Sequence, residues 1–311
     1  MNIALSQSII RTLAFFDICS QPLTREELYR LLWTDGKEYD YEDMMNTLDH
    51  MCMMGDVMYY EGYICLAGRQ NIIAMRTERI YDIEKKLSIA HRASRIMRCV
   101  PFVRAVFVCN SLGFGTADEE SDIDVLVIAR HGHVWAVRFL LHIILKLFFL
   151  RTSGHHLKNK ICLSFILSDA RLNMYSLRFG ERDVYQVYWL LHLIPLYDPD
   201  NMHSSIMRAN MWLRDVVSGV KKYDYQSSHR LRVIDTSFNL RMRILLSSWF
   251  ISSRMEQWCK KIQLPRLNTV YGDVASYPDT RVIISDDMVK LHKNDRRQWF
   301  LTEWEKKIID C

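Results

Sequence analysis

The sequence is poor in residues that break regular structure, with 6 prolines and 11 glycines among 311 residues. That scarcity excludes collagen-like, low-complexity and linker-dominated chains. The 8 cysteines include no Cys-x-x-Cys pair and no zinc-like spacing with histidine. Neither a disulfide framework nor a zinc finger is expected, and the thiols read as reduced, in a cytoplasmic protein. A long uninterrupted apolar run is also lacking. The best candidate, Val134 to Leu150, is broken by Arg138, His142 and Lys146, which recur at steps of four and so form one polar stripe on a helix too short for a bilayer. No membrane partner is expected. Residues 1–20 carry Arg11 and Asp17 inside their apolar pattern and have no small-residue cleavage site, so they do not read as an export signal.

What is present is an ordinary globular composition, 49% apolar and 25% charged, at a length that fits two domains or three small ones. The net charge of +5 is a sum of unlike parts. Residues 38–68 hold seven acidic residues and no Lys or Arg; residues 69–100 hold eight basic against three acidic; residues 205–311 hold nineteen basic against twelve acidic. Residues 101–204 balance ten against ten.

Apolar spacing predicts helices over 6–18, from the N-cap Thr24 to Trp33 with Glu27 closing a capping box, and over 41–54 before Gly55. Gly62 then turns a hairpin between two short strand-like runs. Three helices and a two-stranded wing within residues 1–68 outline a winged-helix-like module. A helix entering the major groove needs cations to neutralise phosphates, and residues 38–68 offer only anions, which argues against DNA binding by this module and for a protein partner. Residues 69–100 read as a connecting helix. From Pro101 the pattern changes to short apolar runs at 103–109, 123–129 and 161–167, with the helix of 134–150 between the last two, an α/β core over residues 101–204. Helices at 183–193, 204–217 and 238–262, one strand-like run at 281–285 and a last helix to Ile309 make residues 205–311 a mainly helical C-terminal region. The expected class is α+β.

The stretch richest in chemistry runs from Val106 to Ile128. A hydrophobic strand leads into a small-residue turn with Asn110, Ser111, Gly113 and Gly115, and ten residues separate Ser111 from Asp122 and Asp124, which open the next strand. Residues two apart on a strand face the same way, so these carboxylates converge about 6–7 Å apart along the chain. Paired carboxylates at that range suit a hard divalent cation such as Mg²⁺, which takes one or two of them plus substrate phosphates. The turn offers a hydroxyl and backbone N–H groups to phosphate.

This pattern resembles the nucleotidyltransferase superfamily that includes DNA polymerase β and the aminoglycoside nucleotidyltransferases. Its signature is a hydrophobic strand, Gly-Ser, about ten residues, and Asp-x-Asp. The order of winged helix, transferase core and helical tail is similar to bacterial nucleotidyltransferase-domain proteins. The resemblance implies Asp122 and Asp124 as catalytic metal ligands for Mg²⁺ in a two-metal site, and Asn110, Ser111 and Gly113 as a phosphate cradle. It implies a nucleoside triphosphate as substrate, and transfer of a nucleoside monophosphate to a hydroxyl of an acceptor that no residue identifies. The sequence departs from the signature at two points: Asn110 stands where the family has Gly, and the strand from Ile161 carries no third carboxylate. Ser164 holds that position and Asp169 is the fallback. These departures fit an alternative in which the fold is catalytically degenerate and serves as a regulatory or protein-binding partner.

Arg138, with His142 and Lys146, is a candidate cation for the triphosphate, set against an ordinary solvated stripe. The loop of Arg151, His155, His156, Lys158 and Lys160 is a candidate phosphate or RNA grip. His155-His156 and the pair His131 and His133 lack helical spacing and are not taken as metal sites. Lys290, Lys293, Arg296 and Arg297 are expected on the terminal helix, in solvent, set against a helix folded over the active site.

Overall fold

The computed structural model describes residues 2–152, 157–222, 232–250, 253–277 and 279–310. His155, His156 and Cys311 lie outside the described residues. Helix α1 (Ile3–Ile18) is capped by the Asn2 side chain. Helix α2 (Arg25–Leu31) opens on the expected capping box, in which the Thr24 hydroxyl accepts from Glu27 N–H and the Glu27 carboxylate accepts from Thr24 N–H. Helix α3 (Tyr41–Met54) ends on Gly55, and β1 (Val57–Tyr60) and β2 (Tyr63–Leu66) pair antiparallel. The helical stretch after them is interrupted at Arg79, giving α4 (Asn71–Glu78) and α5 (Ile80–Met97).

Strand β3 (Val103–Val108), the one-turn α6 (Asn110–Gly113), β4 (Ile123–Ala129), α7 (Val134–Leu147) and β5 (Ile161–Ser168) follow. Then come α8 (Val184–Leu191), β6 (Ile194–Tyr197), α9 (Met202–Ala209), α10 (Ser237–Phe250), α11 (Ser253–Ala275), β7 (Val282–Ile284), β8 (Met288–Leu291) and α12 (Arg297–Asp310). Six strands form one sheet in the order β6-β3-β4-β5-β8-β7. Among the described residues only the β4–β5 strand pair is parallel, joined across α7 as a parallel pair requires. The protein is thus mixed α+β with a mixed sheet. Among the described residues no helix is long and apolar enough to cross a membrane.

Strand alternation sorts the core onto the two faces of the sheet. Val125 and Val127 pack with α5, α7 and α11 on one face, while Leu126 and Ile128 pack with α1, α2, α8 and α12 on the other. The N-terminal helices therefore share a core with the sheet instead of standing apart from it. Phe15 stacks on Tyr188 at 4.5 Å, the Trp304 indole N–H donates to Arg11 O at 2.7 Å, and buried Asp17 pairs with both Arg69 and Lys307.

Two expectations about the C-terminal region are corrected. In place of a single strand, β7 and β8 form a hairpin whose β8 pairs with β5 and so completes the central sheet. Lys290 lies on that strand, not on the terminal helix, and is buried with its ammonium donating to Thr280 O at 2.7 Å. Arg297 begins α12 but is also buried, bonded to Asp295, Leu177 O and Asp183. Pairing with a strand more than a hundred residues away overrode the helical look of Lys-Leu-His-Lys.

Candidate active site

Asp122 and Asp124 sit where β4 enters the sheet, beside a cleft of about 970 Å³. The β4 alternation puts Asp124 on the face of Leu126 and Ile128, at the mouth of the cleft instead of in the α7 core. In β5, Cys162 pairs with Asp124, but Phe165 and not Ser164 pairs with Leu126, so β5 carries one extra residue here. Cys162 and Ser164, two apart on the strand, share the face toward Asp124 by ordinary alternation, and the extra residue lets Phe165 join that face beside Leu126. The Ser164 hydroxyl donates to Asp124 Oδ1 at 3.4 Å and lies 3.1 Å from His292 Nε2. One ligand atom each from Asp122, Asp124 and Cys162 lie within 4.8 Å of one another.

Asn110 is held at φ 54°, the left-handed region where Gly and Asn are the tolerated residues. Its amide nitrogen donates to Asp124 Oδ2 at 2.7 Å, and its amide oxygen accepts the Trp189 indole N–H at 2.8 Å. Asn110 therefore orients the carboxylate it faces. Ser111 follows it in the cleft wall. The loop leading into Asp122 is pinned by the Lys86 ammonium, which donates to Glu119 O, Ser121 O and the Asn159 side chain.

Burial raises the pKa of both carboxylates. Asp122 is pushed up to about 6, chiefly by desolvation and then by the charge of Asp124. Asp124 is raised by desolvation, against the hydrogen bonds of Asn110, Cys162 and Ser164, which favour its ionised form. On the same wall His292 is pushed down to about 4 by burial and then by Lys290, so its imidazole is neutral at pH 7.

Several expected site residues are not in this cluster. Gly113 has a packing role: a Cβ there would lie 2.6 Å from His192 O, and its N–H bonds to Cys109 O. Arg138 is buried under α11 with its guanidinium donating to Gln263 at 2.7 Å, so it is neither a solvated stripe nor a phosphate ligand. Asp169 accepts from His131 N–H and pairs with Arg104, which removes it as the third carboxylate. Sequence reasoning missed Cys162, although its position two residues before Ser164 on one strand was the available signal. It also missed Trp189 and His292, which only tertiary packing brings to the site.

Against known proteins, no family model, no curated protein and no solved structure matches this chain.

Proposed function

We propose that the protein is a divalent-metal-dependent nucleotidyltransferase of the polymerase β-like fold class, transferring a nucleoside monophosphate from a triphosphate to an acceptor hydroxyl. The observation that carries this reading is the convergence of Asp122 and Asp124 with the Asn110-Ser111 turn in one large cleft. The donor set fits a divalent ion: Asp122 and Asp124 would hold it, with triphosphate oxygens completing the shell. A bound ion supplies stabilisation of the charge that builds up on the transferring phosphorus. The chain's own groups do the rest. Asn110 and Ser164 fix the rotamer of Asp124, Lys86 fixes the loop that carries Asp122, and Ser111 offers a hydroxyl to phosphate. Lys293 and Arg296, which line the same cleft, add positive charge for a triphosphate. The experiment is incubation of the purified protein with Mg²⁺ and labelled nucleoside triphosphates in a cell extract, beside an Asp122→Asn, Asp124→Asn variant. Labelled product should fall by at least about 10²-fold in the variant, and equal labelling would refute the reading.

The alternative reading, a degenerate transferase acting on a protein partner, draws on two observations. Among the described residues no third carboxylate joins the pair in the metal-ligand cluster. The seven acidic residues of 38–68 are all exposed, a surface suited to a basic protein partner and not to DNA. Triphosphate binding by calorimetry separates the readings, since the degenerate protein gives no metal-dependent heat.

A further inference from the structure

We propose that Asp122, Asp124 and Cys162 form a mixed carboxylate–thiolate site that takes a zinc-class divalent ion in preference to Mg²⁺. The inference rests on the metal-dependent reading above and names the ion that reading left general. Its basis is the chemistry of the donors. Mg²⁺ seeks an all-oxygen, near-octahedral shell, whereas thiolate sulfur selects softer ions such as Zn²⁺ and Co²⁺. Asp124 and Cys162 are register partners on β4 and β5, Asp122 stands just before β4, and one ligand atom from each lies within 4.8 Å of the others. Three protein ligands would leave one position of a tetrahedral ion for another group, as in catalytic and not structural zinc, and all three residues line the cleft.

The surroundings match a built ligand shell. Metal-ligating carboxylates are held in place by outer hydrogen bonds, and Asp124 has one on each oxygen, from Asn110 at 2.7 Å and Ser164 at 3.4 Å. Ser164 is in turn anchored by His292 at 3.1 Å. Binding replaces the Cys162 S–H bond by a sulfur–metal bond and releases that proton to solvent, with no change of oxidation state.

The test titrates the full chain with Co²⁺, whose thiolate-to-metal charge-transfer absorption reports sulfur ligation directly. The expected result is about one equivalent bound with that band, undisturbed by excess Mg²⁺. Cys162→Ser should abolish the band and weaken Co²⁺ by at least the 10–100-fold typical of losing even an outer-shell partner. Cys162→Asp should bind Co²⁺ without the band and gain affinity for Mg²⁺, with circular dichroism verifying that both variants fold. Binding that depends on Asp122 and Asp124 but shows no band in the native protein overturns the thiolate and leaves the metal-dependent reading intact. A band that survives Cys162→Ser overturns it as well, by assigning the sulfur to another cysteine. No Co²⁺ or Mg²⁺ binding of any kind overturns both.

Discussion

Two groups of buried polar side chains lie on opposite faces of one sheet, and they are completed differently. Against α7, the Glu256 carboxylate accepts the Trp135 and Ala136 N–H groups at 2.8 Å each, and Gln263 donates to Trp135 O and Cys259 O while accepting from Arg138. Those groups close on the protein itself: a helix N-terminus is capped from a distant helix and α11 is fastened to α7. Across the sheet, Asp122 and Asp124 are held in place but line a cleft, where burial raises the pKa of both and the charge of Asp124 adds to the rise at Asp122. Glu256 is taken up by backbone donors and is structural, whereas Asp122 and Asp124 line the cleft.

Substitution should separate the two faces. The largest effect is on function: Asp124→Asn alone should lower metal-dependent labelling by about 10²-fold or more, while its urea midpoint stays at or above the native one, because a repulsive pair is relieved. Glu256→Ala should do the reverse. Leaving two buried N–H groups without their charged acceptor costs about 2–3 kcal/mol in denaturant unfolding, with labelling per folded molecule retained. Loss of labelling without loss of stability in Glu256→Ala would erase the distinction.

A smaller effect concerns pH. Burial lowers the Lys290 pKa to about 7, below that of the unfolded lysine. Between pH 7 and the unfolded value the unfolded chain binds the additional proton, so this group makes stability rise with pH across that window, by at most about 1.4 kcal/mol per pH unit. Lys290→Met should flatten that rise, measured by urea melts from pH 7 to 10. The smallest effect is at Asn110. There the quantity read is the difference between two variants: Asn110→Gly keeps the left-handed backbone and loses the hydrogen bonds to Asp124, Trp189 and Tyr185, whereas Asn110→Ala loses them too and adds backbone strain, for roughly another 1 kcal/mol. Equal losses would mean the positive φ carries no weight there.

Local patterns were legible wherever the sequence carried its own cause. The capping box at Thr24 and Glu27, the Gly55 stop, the hairpin at Gly62 and the strand that begins after Asp122 all depend on neighbours within a few residues. The convergence of Asp122 and Asp124 was legible for the same reason, since a period of two is a property of any strand. Roles that depend on distant partners were not. Arg138 looked like a solvent stripe because nothing in its own helix announces α11 as a cover. Lys290 looked helical because its pairing strand, β5, lies far away in the chain.

The sequence by itself determined the class of structure, the pair of carboxylates and the acidic face of residues 38–68, because periodicity and charge are written along the chain. Only the tertiary structure decided the third member of the site. The parallel pairing of β5 with β4 brings Cys162 and Ser164 beside Asp124, the C-terminal hairpin supplies His292, and the left-handed Asn110 finds both Asp124 and Trp189. Each of those contacts joins residues separated by at least 14 positions, and strand register and helix packing, not local preference, set which of them meet.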